Sequence, residues 1–130
     1  MENGLSAAKH RLQELCELPN GWDGYQAKTV SYEVANFAFA MLKQIYIAGT
    51  APPQIVPGPN GDLQLEWHTE CGDVELHVSA PYKVHAWRSF VAAPENAEEC
   101  ELTSNFTPIA RWVREVFFPY ERKYPSLAAY

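Results

Sequence analysis

Three histidines and two glutamates recur in the middle of the chain at positions that could support metal or acid–base chemistry. Glu66, His68, Glu75, His77 and His85 fall at alternate positions of three short, consecutive segments. Imidazole nitrogens and carboxylate oxygens are common ligands of zinc and related divalent ions. None of these residues has the local spacing of a known metal motif, so their convergence depends on strand register. A small metal-dependent enzyme is therefore one hypothesis for this region, although we expect neither a bound metal nor another cofactor.

The same region supports a second hypothesis, in which it is a surface that binds another protein. Alternation places the aliphatic side chains on one face of the segments and the polar ones, with a tryptophan, on the other. The predicted partner-binding residues are Glu66, His68, Glu75, His77, Lys83, His85 and Trp87. Tryptophan is a frequent anchor of protein interfaces, and carboxylates around it would attract a basic partner. We favour this hypothesis over metal binding; a solvated face of Glu–His and Glu–Lys pairs is the third interpretation.

The segment from Pro19 to Ala27 contains a further acidic residue, Asp23, between a tryptophan and a glycine. A lone carboxylate without an adjacent base, nucleophile or metal cluster is weak evidence of catalysis. We interpret the segment as a structural turn in which Asp23 accepts backbone N–H groups and Trp22 and Tyr25 fold back as apolar plugs. The predicted turn residues are Asn20, Gly21, Trp22, Asp23 and Gly24.

No other arrangement of residues indicates catalysis. Cys16, Cys71 and Cys100 have no motif spacing, and His10 lies almost two helical turns from the first of them. We interpret Cys16 as a small buried apolar residue, because a cysteine nucleophile needs a neighbouring base. The sequence contains no nucleophile elbow and no phosphate-binding glycine loop. We therefore predict no catalytic residues.

The predicted elements begin with two helices, and a third follows near the end of the chain. The first carries apolar residues at three- and four-residue spacing and is ended by Pro19. Ser31 is predicted to cap the second helix, which is apolar on most sides, ends at Gly49 and is therefore the central one. Thr107 is predicted to cap the last helix, with Pro108 at its first position.

Alternating apolar and polar residues between the second and last helices predict an antiparallel meander. It comprises a short strand at Ile55 and alternating segments at 63–68, 74–79 and 82–87, followed by a loop at 92–97 and a weaker fifth strand at 98–103. The prediction is a single α+β domain spanning residues 1–130, with an N-terminal helical pair, a four- to five-stranded meander and a C-terminal helix packed on one sheet face. Residues 120–130 are predicted to form a docking tail.

Two motifs resemble those of a widespread set of small, uncharacterised bacterial and phage-associated proteins. The first is a WDG-x-x-A turn from Trp22 to Ala27, and the second is a hairpin of the pattern P-x-I…G-x-L-x-L-E-W from Pro53 to Trp67. The resemblance covers the region from Leu12 to Ser79. For a small acidic protein it implies an origin in bacteria or phage and a role as an antitoxin-type or anti-defence (anti-CRISPR-like) inhibitor.

The composition favours a protein partner over a nucleic acid. The net charge is −6 at pH 7, whereas direct nucleic-acid binding normally requires a basic surface. Between Gly61 and Glu101, nine acidic residues outnumber two basic ones, so an acidic sheet that mimics nucleic acid is an alternative. Three cysteines, an odd number, favour the reducing cytoplasm.

We therefore predict a cytoplasmic, non-enzymatic protein-binding module that is a monomer or a homodimer. Its expected partner is a toxin or a nucleic-acid-binding complex. No signal peptide and no apolar run long enough to cross a bilayer is visible in the sequence, so no membrane contact is expected.

Overall fold

Five antiparallel strands form a sheet in which each strand pairs with the next along the chain. The computed structural model describes residues 4–118. Its elements are α1 (Gly4–Cys16), α2 (Tyr32–Ile45), β1 (Gln54–Pro57), β2 (Leu63–His68), β3 (Gly72–Ala80), β4 (Lys83–Phe90), β5 (Ala93–Leu102) and α3 (Thr107–Phe117). The predicted α+β fold, with a helical pair before the meander and a helix after it, is confirmed.

One face of the sheet forms the core. Strand register places Ile55, Leu65, Leu76, Ala86 and Cys100 side by side on five adjacent strands. The first four of these side chains are at most 2% exposed. Burying a large aliphatic side chain contributes about 2 kcal/mol, so this row alone is a substantial part of the driving force for folding.

The three helices cover this apolar face of the sheet. Helix α2 contacts α1, α3 and β3, which confirms its predicted central position. Its Ala38 and Met41 are fully buried, and Ile109 and Val116 of α3 are at most 1% exposed. Because all three helices pack on the same face, they leave the opposite face of the sheet without a covering element among residues 4–118.

The start of α2 agrees with the sequence, but its end does not. The Ser31 hydroxyl accepts a hydrogen bond from the Val34 N–H at 3.4 Å, as expected of an N-cap. The helix ends at Ile45, four residues before the predicted stop at Gly49, and Tyr46 is extended. A turn follows in place of the last predicted helical residues, and in it the N–H and hydroxyl of Thr50 both donate to the Ile47 carbonyl, at 3.2 and 2.6 Å.

The predicted loop at 92–97 is wrong. Strand β5 begins at Ala93, and only two residues, 91 and 92, separate it from β4. The fifth strand, predicted at 98–103, therefore begins earlier than expected, because it is an edge strand that is exposed over most of its length and lacks apolar alternation. Pro94 is tolerated there because an edge position does not require its N–H for pairing.

At the opposite edge of the sheet, a helix covers the first strand. Arg11 of α1 donates from Nε to the carbonyl of Ile55 at 3.1 Å. This contact occupies a backbone acceptor that an edge strand would otherwise offer to another strand. The monomer or homodimer assignment stays a prediction.

The predicted cap of α3 is also wrong in detail. Thr107 is the first helical residue and Phe106 is the N-cap, without a side-chain cap. The Thr107 N–H is instead satisfied by Oδ1 of Asn105 at 3.1 Å. The predicted docking tail at 120–130 lies outside the described residues. No helix within residues 4–118 is long and apolar enough to cross a membrane.

Candidate binding face

We call the uncovered side of the sheet the open face. The register and the burial pattern place all seven predicted partner-binding residues on it, because the alternate positions of β2, β3 and β4 are buried. The structure adds further polar residues to this face. The open face comprises Gln64, Glu66, His68, Asp73, Glu75, His77, Lys83, His85, Trp87, Glu99 and Glu101.

A half-buried tryptophan lies near the middle of the open face. Trp87 of β4 is directly opposite Glu75 of β3 on one side and Glu99 of β5 on the other. Glu66 of β2 continues the row beyond Glu75. The indole is thus flanked by carboxylates from both neighbouring strands, and no element among residues 4–118 packs over it.

Two histidines form the centre of the adjacent row, but they bind different carboxylates. His77 and His85 are directly opposite each other on β3 and β4. His77 Nε2 lies 2.6 Å from Oδ2 of Asp62, whereas His85 contacts Glu101 through Nδ1 and Glu99 through Nε2, the latter at 3.3 Å. The hydrogen bond to Glu101 is the main cause that raises the pKa of His85 above its usual value.

The third histidine belongs to a cluster with three carboxylates. His68 Nδ1 lies 2.6 Å from Oδ1 of Asp73, and its Nε2 lies 2.8 Å from Oε1 of Glu66. These two hydrogen bonds, Asp73 first, raise the pKa of His68. Burial and then the neighbouring Glu66 raise the pKa of Glu75. The cluster therefore favours the protonated forms of His68 and Glu75 relative to the free side chains.

A cavity of about 440 Å³ lies at the β1–β2 end of the open face. Its polar wall is formed by Asp62, Glu66, His77 and His85, and Pro57 contributes to its apolar wall. A concave site with two carboxylates beside two imidazoles is suited to a cationic group. It also lies beside the central rows of the open face, so one ligand could contact both.

The turn from Asn20 to Gly24 is a scaffold for the loop beside this cavity. Asp23 Oδ1 accepts hydrogen bonds from the N–H groups of Tyr25 and Ala27, at 2.9 and 3.2 Å. Gly21 and Gly24 both have φ of +79°, which favours glycine. Asn20 Oδ1 accepts from the N–H and hydroxyl of Thr29, at 3.0 and 3.1 Å. These contacts are those of a structural turn.

One detail of that turn corrects the sequence-based interpretation. Tyr25 is 79% exposed and is not an apolar plug. Trp22 is half-buried, and its indole N–H donates to the Lys28 carbonyl at 3.0 Å. Tyr25 was mispredicted because an aromatic residue in a tight turn can fold inward only if the backbone leaves room beneath it, and spacing does not reveal that.

The segment that follows the turn is joined to the β1–β2 loop by backbone hydrogen bonds. The Lys28 N–H donates to the Pro59 carbonyl at 2.8 Å, and the Ser31 N–H donates to the Gly61 carbonyl at 2.9 Å. The loop in turn holds Asp62, which is 8% exposed and contacts His77. The backbone that follows the WDG-x-x-A turn therefore contacts the loop of the hairpin motif, and this loop positions Asp62 at one end of the open face.

Two charged residues that the sequence analysis did not select prove to be central. Burial disfavours ionisation of Asp62, but hydrogen bonds from His77 and from the Asn60 N–H outweigh it and lower the pKa of Asp62. Arg88 points into the core side, where its side chain is 11% exposed and contacts Glu98 and Glu115 at 3.0 and 2.8 Å. An inward arginine was detectable in the sequence, because it follows Val84 and Ala86 in the same alternation.

Cys16 is less buried than the sequence analysis predicts. Cys16 is partly buried beside a groove between α1 and α2, and burial raises the pKa of its thiol, which disfavours the nucleophilic thiolate. Comparisons with models of protein families, with curated proteins and with solved structures found no match.

Proposed function

We propose that this chain is a non-enzymatic protein-binding module whose open face takes a basic segment of a partner protein. The observation that carries the proposal is the position of Trp87. It is a half-buried tryptophan on an uncovered sheet face, with Glu75 and Glu99 directly opposite it on both neighbouring strands. A large aromatic anchor within a polar surround is typical of an interface hot spot.

The charges of the open face favour a cationic partner. Its carboxylates outnumber its one lysine: they are Glu66, Asp73, Glu75, Glu99 and Glu101. An arginine side chain can stack on an indole and form paired hydrogen bonds with a carboxylate at the same time. The cavity beside Asp62 offers a second position for a lysine or arginine of the same segment.

The partner class that we propose is a toxin or a nucleic-acid-binding defence complex of bacteria. Proteins that bind nucleic acid present arginine- and lysine-rich surfaces, which are complementary to the open face. Occupying such a surface would inhibit the partner by exclusion and would require no catalysis. The resemblance of the turn and hairpin motifs to bacterial and phage-associated proteins supports this class of partner.

Mimicry of nucleic acid by the acidic sheet is the second candidate function. The row of Glu66, Glu75 and Glu99 favours it, because it presents repeated negative charge to solvent. The raised pKa values of His68 and His85 weigh against it, since protonated imidazoles offset part of this charge. Burial of Trp87 in an ordinary interface is therefore our preferred mechanism.

Affinity capture from bacterial lysate tests the proposed function when three baits are compared. The baits are the wild-type chain, Trp87→Ala, and Tyr25→Ala as a matched control with an exposed aromatic residue removed from another surface. We expect a basic protein that wild type and Tyr25→Ala retain and Trp87→Ala does not. Retention of the same proteins by all three baits would contradict the proposal.

The salt dependence of that capture separates the two candidate functions. Mimicry requires competition with DNA for one surface of the partner and a steep loss of binding with added salt. Interface burial around Trp87 predicts capture that persists at about 0.3 M salt, where exposed charge interactions are strongly screened. Mimicry would be favoured if DNA displaced the captured protein and if Trp87→Ala did not reduce its capture.

A further inference from the structure

Three side chains on the open face converge on one point. One ligand atom from each of Glu66, His68 and Glu75 lies within 4.8 Å of the other two. Among residues 4–118 no other group of three histidine, cysteine or acidic residues converges in this way. Ligand atoms around a tetrahedral zinc ion are about 3.4 Å apart, so small rotations of these side chains would complete the geometry.

Neighbouring residues already orient these three side chains. Asp73 Oδ1 binds His68 Nδ1 at 2.6 Å and thereby directs Nε2 of the imidazole toward the carboxylates. Gln64 Nε2 donates to Glu66 Oε2 at 2.9 Å and to Glu75 Oε1 at 3.2 Å. A carboxylate behind a histidine and hydrogen bonds to the ligating carboxylates are the usual supports of a metal site.

The cluster also contains an unfavourable interaction that a cation would relieve. Glu66 and Glu75 are directly opposite each other on β2 and β3. Like charges at such positions are destabilising in a sheet. A divalent ion between the carboxylates would replace repulsion with attraction to both.

We propose that Glu66, His68 and Glu75 form a binding site for a divalent first-row transition-metal ion such as Zn²⁺. One imidazole with two carboxylates favours such an ion over Mg²⁺ or Ca²⁺, which prefer oxygen ligands alone. The ion replaces the proton shared by His68 Nε2 and Glu66 Oε1. Three protein ligands leave coordination positions open to water or to a side chain of a partner.

A second histidine cluster on the same face provides a matched control. His85 binds Glu101 through Nδ1 and Glu99 through Nε2, so the two carboxylates lie at opposite nitrogens of the ring. They cannot share one ion with that imidazole. His85 therefore has the same residue types around it as His68 but lacks a common point of convergence.

The test is isothermal titration of the full, tag-free chain with ZnCl₂, with Co²⁺ as a spectroscopic substitute. We expect saturable binding near one ion per chain, weakened at least tenfold by His68→Gln and by Glu75→Gln and unchanged by His85→Gln. Visible absorption of the Co²⁺ complex should disappear in the same two variants. Urea unfolding of each variant verifies that the fold is retained.

Two results would overturn this inference. One is Zn²⁺ binding that persists in both His68→Gln and Glu75→Gln, since the ion would then lie elsewhere, for example at a cysteine. The other is the lack of saturable binding by the folded wild-type chain at millimolar Zn²⁺. Neither result decides the proposed protein binding, because the capture that depends on Trp87 is a separate measurement and requires no metal ion.

Discussion

The Nε2 atom of His77 lies 2.6 Å from the Oδ2 atom of Asp62, so a strand of the open face is joined to the β1–β2 loop. Asp62 also accepts the Asn60 N–H through Oδ1 at 2.9 Å. Because its pKa is lowered in the fold, this carboxylate stabilises the protein above pH ~4, and the contribution is lost as the pH falls through the lowered pKa. One buried acid therefore connects the loop to the candidate binding face.

Substitution of Gly58 tests this connection. A Cβ atom at Gly58 would lie 2.3 Å from both carboxylate oxygens of Asp62, so the side chain would have to leave its place. We expect Gly58→Ala to lower the free energy of unfolding by about 2 kcal/mol, measured by urea denaturation. The double variant Gly58→Ala with Asp62→Ala should be nearly as stable as the single variant Asp62→Ala, because the side chain that clashes is then absent. Additive losses would show that the clash is not the cause.

Arg88 is expected to be a point of high sensitivity in the fold. It pairs with Glu115, which is 18% exposed, and lies over the rings of Phe90 and Trp112, with ring centroids at 4.6 and 5.3 Å. Arg88→Ala removes the closer cation from the Glu115 carboxylate and leaves it with the more distant Arg111, whose Nε lies 3.6 Å from Oε1. Because the packing on both rings is lost as well, we expect a loss of about 2 kcal/mol in the free energy of unfolding after allowing for the partial exposure of Glu115.

The double variant Arg88→Met with Glu115→Gln is the control for Arg88→Ala. It removes the charge of both partners and keeps most of the packing volume, so we expect it to recover at least half of the loss. The free energies of unfolding of Arg88→Ala and of the double variant are measured from urea unfolding curves, which should have equal slopes. Equal stability of Arg88→Ala and wild type would contradict this role.

His85 is expected to titrate above its usual pKa of 6.5. Its folded-state pKa is raised, so its small contribution to stability is complete below about pH 6.5 and is lost as the pH rises through the raised pKa. Since the side chain is 42% exposed, we expect less than about 1 kcal/mol.

NMR titration of the His85 ring protons measures this shift. Glu101→Gln removes the main cause of the raised pKa and should move the midpoint down toward 6.5. Glu70→Gln, which removes an exposed acid outside the open face, should leave the midpoint unchanged. An unchanged midpoint in Glu101→Gln would show that the pairing does not persist in solution.

The sequence predicted the central strands and the residues of the open face because their alternation is regular from Leu63 to Trp87. It could not predict which carboxylate each imidazole binds, since that depends on strand register. His77 binds Asp62, whereas His85 binds two glutamates of β5. Strand β5 itself was only partly predicted, because an exposed edge strand lacks a regular alternation of apolar and polar residues.

The contact between the segment after the turn and the hairpin loop could not be predicted from the sequence either. It is made by backbone groups, such as the Ser31 N–H and the Gly61 carbonyl, and residue type carries little information about backbone contacts between distant segments. In contrast, the cap at Ser31 and the Asx turn at Asp23 were predictable, because each is a local contact of a polar side chain with nearby backbone.

The four tryptophans of the chain provide a direct measurement of where a basic segment binds. Trp67 and Trp112 are at most 4% exposed, Trp22 lies in the turn, and only Trp87 lies on the open face. The measurement is a ¹⁵N-HSQC titration of the indole N–H signals with an arginine-rich peptide at about 0.15 M salt. We predict that the Trp87 signal shifts saturably while the other three stay in place, and that a glutamate-rich peptide of equal length moves none. A shift of the Trp22 signal alone, or binding that leaves the Trp87 signal unmoved, would contradict the assignment of the open face as the binding surface.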